Sequence, residues 1–233
     1  TILEIKEKYA PDKRTAIFDI EVKSDNGSFS LTGETTELDA KEELISILAD
    51  AKIKIEDKIT TLPLLERTGK TLGLVNVSVA NLRAKPQHSA ELVTQAVLGT
   101  PVRVFKKDDG FYLVQTPDRY IAWVDDDAVF AFDKEEYDNW FNSDKVFFIK
   151  ENGFSYSKAN EKSERVSDLV MGNIIEKIGS EGKFAKVKYP DGRIAFVLKT
   201  EVEEYSQWLE KAFPTKENII TSAKLFMGTP YLW

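Results

Sequence analysis

The sequence predicts a mainly β protein with an α+β unit at its front. Three observations carry that expectation. Short runs of alternating apolar and polar residues are bounded by Gly, Asn-Gly and Asp-Gly turns. A long segment after Leu72 repeats itself further down the chain. One stretch of helical period sits between two alternating runs in the first ~65 residues.

The front unit reads as ββαβ, with room for a short helix before it. In "TAIFDIEVK", Ala16, Phe18, Ile20 and Val22 alternate as on a half-buried strand. Asn26-Gly27 then signals a hairpin turn, and the return strand "SFSLTGE" turns Phe29 and Leu31 inward. Asp39 and Glu42 form a capping-box pattern opening a helix, with Leu44, Ile47, Leu48 and Ala51 on one face. The strand "KIKIEDKIT" closes the unit.

The repeat follows. Val93 to Val129 aligns without a gap on Val166 to Val202, a shift of 73 residues. Gly99, Phe111, Val114, Pro117, Asp118, Ala122 and Val124 meet identical partners, while Leu98/Met171, Val102/Ile175 and Trp123/Phe196 keep apolar character. Strands of this length predict a small barrel of about five strands per copy, and closure would protect the edges of so short a unit. Each copy precedes an amphipathic helix, "EEYDNWF" from Glu135 and "EEYSQWL" from Glu203, with Tyr137/Trp140 and Tyr205/Trp208 at i, i+3 spacing. Pro214 breaks the second of these. Thr215 or Lys216 opens a last helix whose Ile219, Ile220, Ala223, Leu225 and Phe226 favour one side and which needs a partner.

Composition narrows the chemistry. The 233 residues are 42% hydrophobic and 30% charged, ordinary for a globular protein, and carry a formal net charge of −7. That balance argues against a nucleic-acid partner, whose affinity rests on Lys and Arg. No run approaches the length of a membrane span. The opening "TILEIKEKYAPDKRT" lacks a signal-peptide layout, so the chain is expected to be cytosolic or to have lost a leader. There is no Cys, and His88, in the polar stretch "AKPQHSAE", is the one His and reads as a surface loop residue. Thiol nucleophiles, disulfides and Cys or multi-His zinc sites are therefore excluded within these residues. Carboxylate pairs abound among 39 acidic residues, but none stands apart as an acid–base couple. The runs "KKDD" at Lys106 and "DDD" at Asp125 read as solvated turns, since a calcium loop needs alternating ligands, a Gly and a distal Glu. No metal and no cofactor is expected.

In a duplication, shared positions most simply serve the shared fold, and unmatched ones are candidates for function. Tyr120 in "PDRYIAWV" faces Arg193 in "PDGRIAFV". With Trp123 it offers a phenol beside an indole, which suits either a pocket rim or packing against a neighbouring domain. Glu91 is matched by Glu164 and is the less distinctive of the two.

Three resemblances extend this reading. "GSFSLTGETTELDAKEELISILADAKIKIEDKITTLP" resembles the BON (bacterial OsmY and nodulation) domain, associated with phospholipid or partner binding in bacterial envelope proteins. "VSVANLRAKP" ahead of the first copy resembles the opening of bacterial SH3-like domains. "AKLFMGTPYLW" resembles the start of the NlpC-type cysteine peptidase domain, which runs from a helix through such a segment to an Asp-Cys-Ser-Gly nucleophile. The implied layout is a BON-like unit at 1–66, SH3-like barrels with their helices at 70–142 and 143–212, and the start of a truncated α+β peptidase domain at 213–233.

This module order resembles that of bacterial γ-D-glutamyl-L-diamino-acid endopeptidases, which cut murein peptides bearing a free N-terminal L-Ala. The resemblance implies that Tyr231 lies beside a Cys falling beyond Trp233. It also implies that Glu91 and Tyr120 bind the substrate ammonium, with Trp233 in the same substrate site, and a location in the bacterial periplasm or cell envelope. A carboxylate facing an ammonium in a partly dry pocket selects against an acylated terminus. The alternative is a stand-alone, non-catalytic envelope scaffold that holds wall peptides or a protein partner. The absence of Cys favours the scaffold and the apolar end of the chain disfavours it.

Overall fold

This computed structural model describes residues 1–25, 27–64 and 69–229, and among them three sheets and five α-helices follow one another along the chain. The first sheet belongs to the front unit. Helix α1 (Ile2–Tyr9) leads into the hairpin of β1 (Phe18–Asp25) and β2 (Ser28–Thr35), paired from Phe18↔Thr35 to Asp25↔Ser28. Helix α2 (Leu38–Asp50) then crosses over to β3 (Glu56–Thr61), which lies parallel to β2. The order is αββαβ. Ile5, Phe18, Ile20, Leu31, Ala40, Leu44 and Ile59 close its core.

Two local expectations are corrected. Asp39 does not cap α2: the N-cap is Glu37, without a side-chain cap bond, and Asp39 lies in the first turn. The alternating face also fades toward the hairpin tip, where Val22 and Phe29 are exposed, as are Ile47 on α2 and Ala51 at its C-cap. The core contacts of the front unit gather at the other end of the hairpin, around Phe18, Ile20 and Leu31. Asn26 of the expected hairpin turn lies outside the described residues. Gly33 is required sterically: at φ +126°, a Cβ there would sit 1.9 Å from the Asp19 carbonyl oxygen on β1.

The repeat becomes two sheets of identical order. The first copy contributes β4 (Leu72–Val75), β5 (Val79–Arg83), β6 (Leu92–Val97), β7 (Pro101–Asp108), β8 (Phe111–Gln115), β9 (Ile121–Asp125) and β10 (Val129–Phe132). Their order is β10-β4-β7-β8-β9-β5-β6, all antiparallel. The second copy supplies β11 (Lys145–Phe148), β12 (Asn152–Tyr156), β13 (Arg165–Val170), β14 (Ile174–Glu181), β15 (Phe184–Lys188), β16 (Ile194–Leu198) and β17 (Val202–Glu204), in the matching order.

Even the bulges repeat, between Leu82 and Arg83 as between Ser155 and Tyr156, and between Val104 and Lys106 as between Lys177 and Gly179. Seven strands appear where about five per copy are expected, because each copy's entry and exit segments pair with each other, as Val75↔Val129 and Phe148↔Val202 show. The chain is thus mainly β, with two strongly bent antiparallel sheets of the SH3-like barrel type.

One difference between the two cores brings in polar groups. Leu82 and Thr116 of the first barrel correspond to Ser155 and Tyr189 of the second. Ser155 and the phenol of Tyr189, both fully buried, share a 2.7 Å hydrogen bond that satisfies polar groups otherwise costly to bury. Helix α3 (Lys134–Asn142) starts with a true capping box on Asp133 and Glu136, and buries Trp140 with Leu74 and Phe132. Helix α4 (Tyr205–Lys211) begins later than the "EEYSQWL" pattern suggests, since Glu203 and Glu204 finish β17. Its Tyr205 and Trp208 stack with Phe147, the Trp208 ring centroid 4.0 Å from that of Phe147.

The barrels meet at a polar and apolar seam. Leu98, from the β6–β7 turn of the first copy, sits inside the core of the second beside Val146, Phe148 and Ile175. Gly99 follows at φ +81°, and a Cβ there would lie 2.2 Å from the Ile174 carbonyl oxygen. Ser78 donates to Asp168 at 2.6 Å, and Asn173 donates to the Ser78 carbonyl at 2.9 Å.

Candidate functional site

Glu91 and Tyr120 come to the same end of the first barrel because of strand register. Glu91 immediately precedes β6 and Tyr120 immediately precedes β9. β5 runs antiparallel to both, pairing Arg83 with Leu92 on one side and with Trp123 on the other. The two strand starts therefore lie toward the same end of the barrel, on either side of β5 and two strand spacings apart (about 10 Å), with the start of β9 offset by two residues along the strand.

The loop that presents Glu91 is tied down. Arg83 donates to the Ala90 carbonyl at 2.8 Å, and the Ala84 amide donates to the Glu91 carbonyl at 3.0 Å. Glu91 itself is exposed and makes no ion pair among the described residues. Tyr120 is half-buried against the barrel core. Its carbonyl accepts from the Thr116 amide at 3.0 Å across a tight turn in which Arg119 adopts φ +70°.

The phenol and the indole separate. Trp123 faces the front unit in a cluster with Leu62, Phe105, Leu113, Ile17 and Leu64. Packing against a neighbouring unit is thus what Trp123 does, while Tyr120 faces the barrel core. At the equivalent place in the second copy, Arg193 is drawn into the seam. It donates to Asp191 and to the Asn76 carbonyl and lies 4.6 Å over the Tyr189 ring.

The front unit reaches Tyr120 by a route that sequence patterns did not indicate. The Arg14 carbonyl accepts the Ile121 amide at 2.7 Å, and the Thr15 carbonyl accepts from the Gln115 side chain at 3.1 Å. Asp12 gathers this turn, accepting from the Arg14 amide at 2.9 Å and from two nitrogens of its guanidinium. The guanidinium hydrogen bonds, and then that of the Arg14 amide, pull the Asp12 pKa from 3.8 to about 2. The Arg14 pKa is raised by the same hydrogen bonds and by the Asp12 charge, with a further contribution from the nearby Tyr120. Because the Asp12 pKa is depressed on folding, its stabilisation of the turn is fully present above pH 3.8 and is lost as pH falls through about 2. Carboxyl NMR should show Asp12 titrating near 2 in the intact protein and returning toward 3.8 in Arg14→Gln.

His88 is exposed, with its ring centroid 5.0 Å from that of Phe111 and Nε2 3.6 Å from an Asp125 carboxylate oxygen. The carboxylates of Asp125, Asp126 and Asp127 gather closely, but their local roles are visible. Asp125 caps the Asp127 amide and Asp126 pairs with Lys107. A groove of about 390 Å³ between the barrels, lined by Phe130, Phe132, Trp140, Lys188 and Asp191 among others, contains neither Glu91 nor Tyr120. Tyr231 and Trp233 lie outside the described residues. Helix α5 (Lys216–Leu225), capped by Thr215, exposes Ile219, Ile220 and Leu225, with Phe226 just beyond it also exposed. The end of the first barrel thus presents an exposed, unpaired carboxylate at Glu91 and a half-buried phenol at Tyr120. Among the described residues it carries no nucleophile–base couple.

Comparison with known proteins gives this end a context. The family described as the bacterial dipeptidyl-peptidase SH3 domain matches residues 82–129, a span that includes both Glu91 and Tyr120. A curated relative, dipeptidyl-peptidase 6 of Lysinibacillus sphaericus, is 26% identical over 175 residues, covering 69% of this chain. The chain spans 61% of that relative's length. Among solved structures, an NlpC/P60 family protein from Bacillus cereus superposes with a TM-score of 0.57 at 21% identity, over 70% of this chain and 66% of the other. The chain thus carries a peptidase-associated SH3 region at residues 82–129, within a fold shared with an NlpC/P60 family protein.

Proposed function

We propose that this chain is the substrate-gating, cell-wall-peptide-binding part of a bacterial cysteine peptidase of the NlpC type. The bond cut joins γ-D-Glu to the diamino acid of murein peptides that carry a free N-terminal L-Ala. In this reading Glu91 pairs with the substrate ammonium and Tyr120 offers its hydroxyl to the same group. Tyr231 stands beside the nucleophilic Cys and Trp233 lines the substrate cleft. Residues 1–66 act as a BON-like unit, 70–142 and 143–212 as the two SH3-like modules, and 213–233 as the start of the peptidase domain. The setting is the bacterial periplasm or cell envelope.

The observation that carries this reading is the dipeptidyl-peptidase SH3 match over residues 82–129, the span holding Glu91 and Tyr120. Two features support it. Both residues stand at one end of the barrel, Glu91 with its carboxylate unpaired, and α5 presents an apolar side such as an adjoining domain would cover. A carboxylate–ammonium hydrogen bond in a partly enclosed site contributes about 1.5–3 kcal/mol. Glu91→Gln in the native full-length protein should therefore lower kcat/KM for L-Ala-γ-D-Glu-diamino-acid peptides by about ten- to a hundredfold. Tyr120→Phe should lower it less. Unchanged turnover in both variants would sink the site assignment.

A further inference from the structure

The turn Asp12–Thr15 is laid along the residues that lead into β9, so the front unit forms a wall beside Tyr120. Arg14 is the charged group of that wall. Its Nε donates to both Asp12 carboxylate oxygens, at 2.9 and 3.1 Å, and its Nη2 donates to one of them at 2.7 Å. These bonds fix the plane of the guanidinium and use its Nε–Nη2 edge. Nη1 has no protein partner among the described residues. The Ile121 amide donates to the Arg14 carbonyl at 2.7 Å, which sets Arg14 beside the residue that follows Tyr120.

Charges of both signs meet at this end, Lys13, Arg14 and Arg119 against Asp12, Asp118 and Glu91. Asp12 is taken up by Arg14 and Asp118 accepts from the Thr116 hydroxyl, while neither Lys13 nor Arg119 makes an ion pair among the described residues. The arrangement occurs once. In the second copy the residue matching Tyr120 is Arg193, already engaged by Asp191 and Asn76.

We infer that Arg14, held in place by Asp12, is a specificity-determining residue whose free guanidinium edge takes the carboxylate of a ligand whose ammonium is taken by Glu91. This rests on the proposed reading that the ligand is a murein peptide with a free amino terminus. In such a peptide the chain continues through the γ-carboxyl of D-Glu, which leaves its α-carboxylate free. That carboxylate follows the terminal ammonium by one residue, within about 7 Å in an extended chain. A planar fork with one edge pre-paired loses little further freedom on binding a carboxylate, which is the geometry Arg provides and Lys does not. The Tyr120 end thereby reads two charges of opposite sign rather than one.

The test uses the native full-length protein and three peptides: L-Ala-γ-D-Glu-diamino acid, its α-amide with D-isoglutamine, and its N-acetyl form. Calorimetric Kd is measured for each, with KM where turnover is followed. Arg14→Gln should weaken binding of the free acid about tenfold or more. It should leave the α-amide unchanged and kcat within about twofold. Asp12→Asn should act in the same direction more weakly, and Arg14→Lys should fall between parent and Gln. Docking of the turn uses the Arg14 carbonyl rather than its side chain, so Ile121 amide protection should persist in all three variants. Equal effects of Arg14→Gln on acid and amide, or no effect on either, overturn the inference. The N-acetyl peptide reports separately on the ammonium reading. A parent that binds it as well as the free amine contradicts the role of Glu91, while the acid–amide comparison still decides that of Arg14.

Discussion

Leu98→Ala is expected to loosen the second barrel, although Leu98 belongs to the first copy of the repeat. The side chain is fully buried among Val146, Phe148, Leu169 and Ile175, so truncation removes apolar contacts and leaves a cavity that the surrounding strands fill only in part. A loss of about 2–5 kcal/mol of unfolding free energy is expected. Neighbouring Gly99, whose missing Cβ allows the Ile174 carbonyl to approach, leaves the seam little room to shift and collapse the void. Urea denaturation gives the magnitude, and hydrogen exchange gives the place. Protection should fall across β11–β17 before β4–β10. A loss confined to β4–β10 would mean that Leu98 serves its own barrel instead.

Phe105→Ala should have the second large effect, at the seam between the front unit and the first barrel. Phe105 is 1% exposed and sits at the bulge between Val104 and Lys106. A bulge leaves its extra residue outside the ladder, and the Phe105 carbonyl accepts the Leu64 amide at 2.7 Å. Its ring packs with Leu62 and Trp123. Removing it is expected to cost about 3–5 kcal/mol and to detach residues 1–64 at lower denaturant than parent. The repeat supplies its own control. Ile178 occupies the same bulge in the second copy but is 41% exposed, so Ile178→Ala should stay within about 0.5 kcal/mol of parent. Limited proteolysis between the front unit and β4 distinguishes the two variants directly.

Much of this architecture is legible in the sequence. The gapless alignment of Val93 on Val166 foretold two sheets of one order, since identical patterns of alternation and turn residues impose the same pairing. Thr215 as the start of the last helix and the unpartnered apolar side of that helix were equally plain.

What escaped has a common cause. Leu98 in the neighbouring core, the docking of Leu62 and Leu64 on Trp123, and Arg14 beside Tyr120 are contacts between units, and strand or helix periodicity reports only which face is apolar. Asp12-x-Arg14 is a local pair that could have been noticed, yet nothing in its spacing points to residue 120. The misplaced cap at Asp39 is a smaller failure of the same kind, because helix α2 begins where β2 releases the chain rather than where the best capping residue stands.

The central claim is that the end of the first barrel reads a free amino terminus. The most direct measurement is the ratio of kcat/KM for L-Ala-γ-D-Glu-diamino acid to that for its N-acetyl form, in the full-length parent and in Glu91→Gln. The account predicts a parent ratio of about tenfold or more, collapsing toward unity when the carboxylate becomes an amide. A parent ratio near unity, or a large ratio that Glu91→Gln leaves intact, would contradict it.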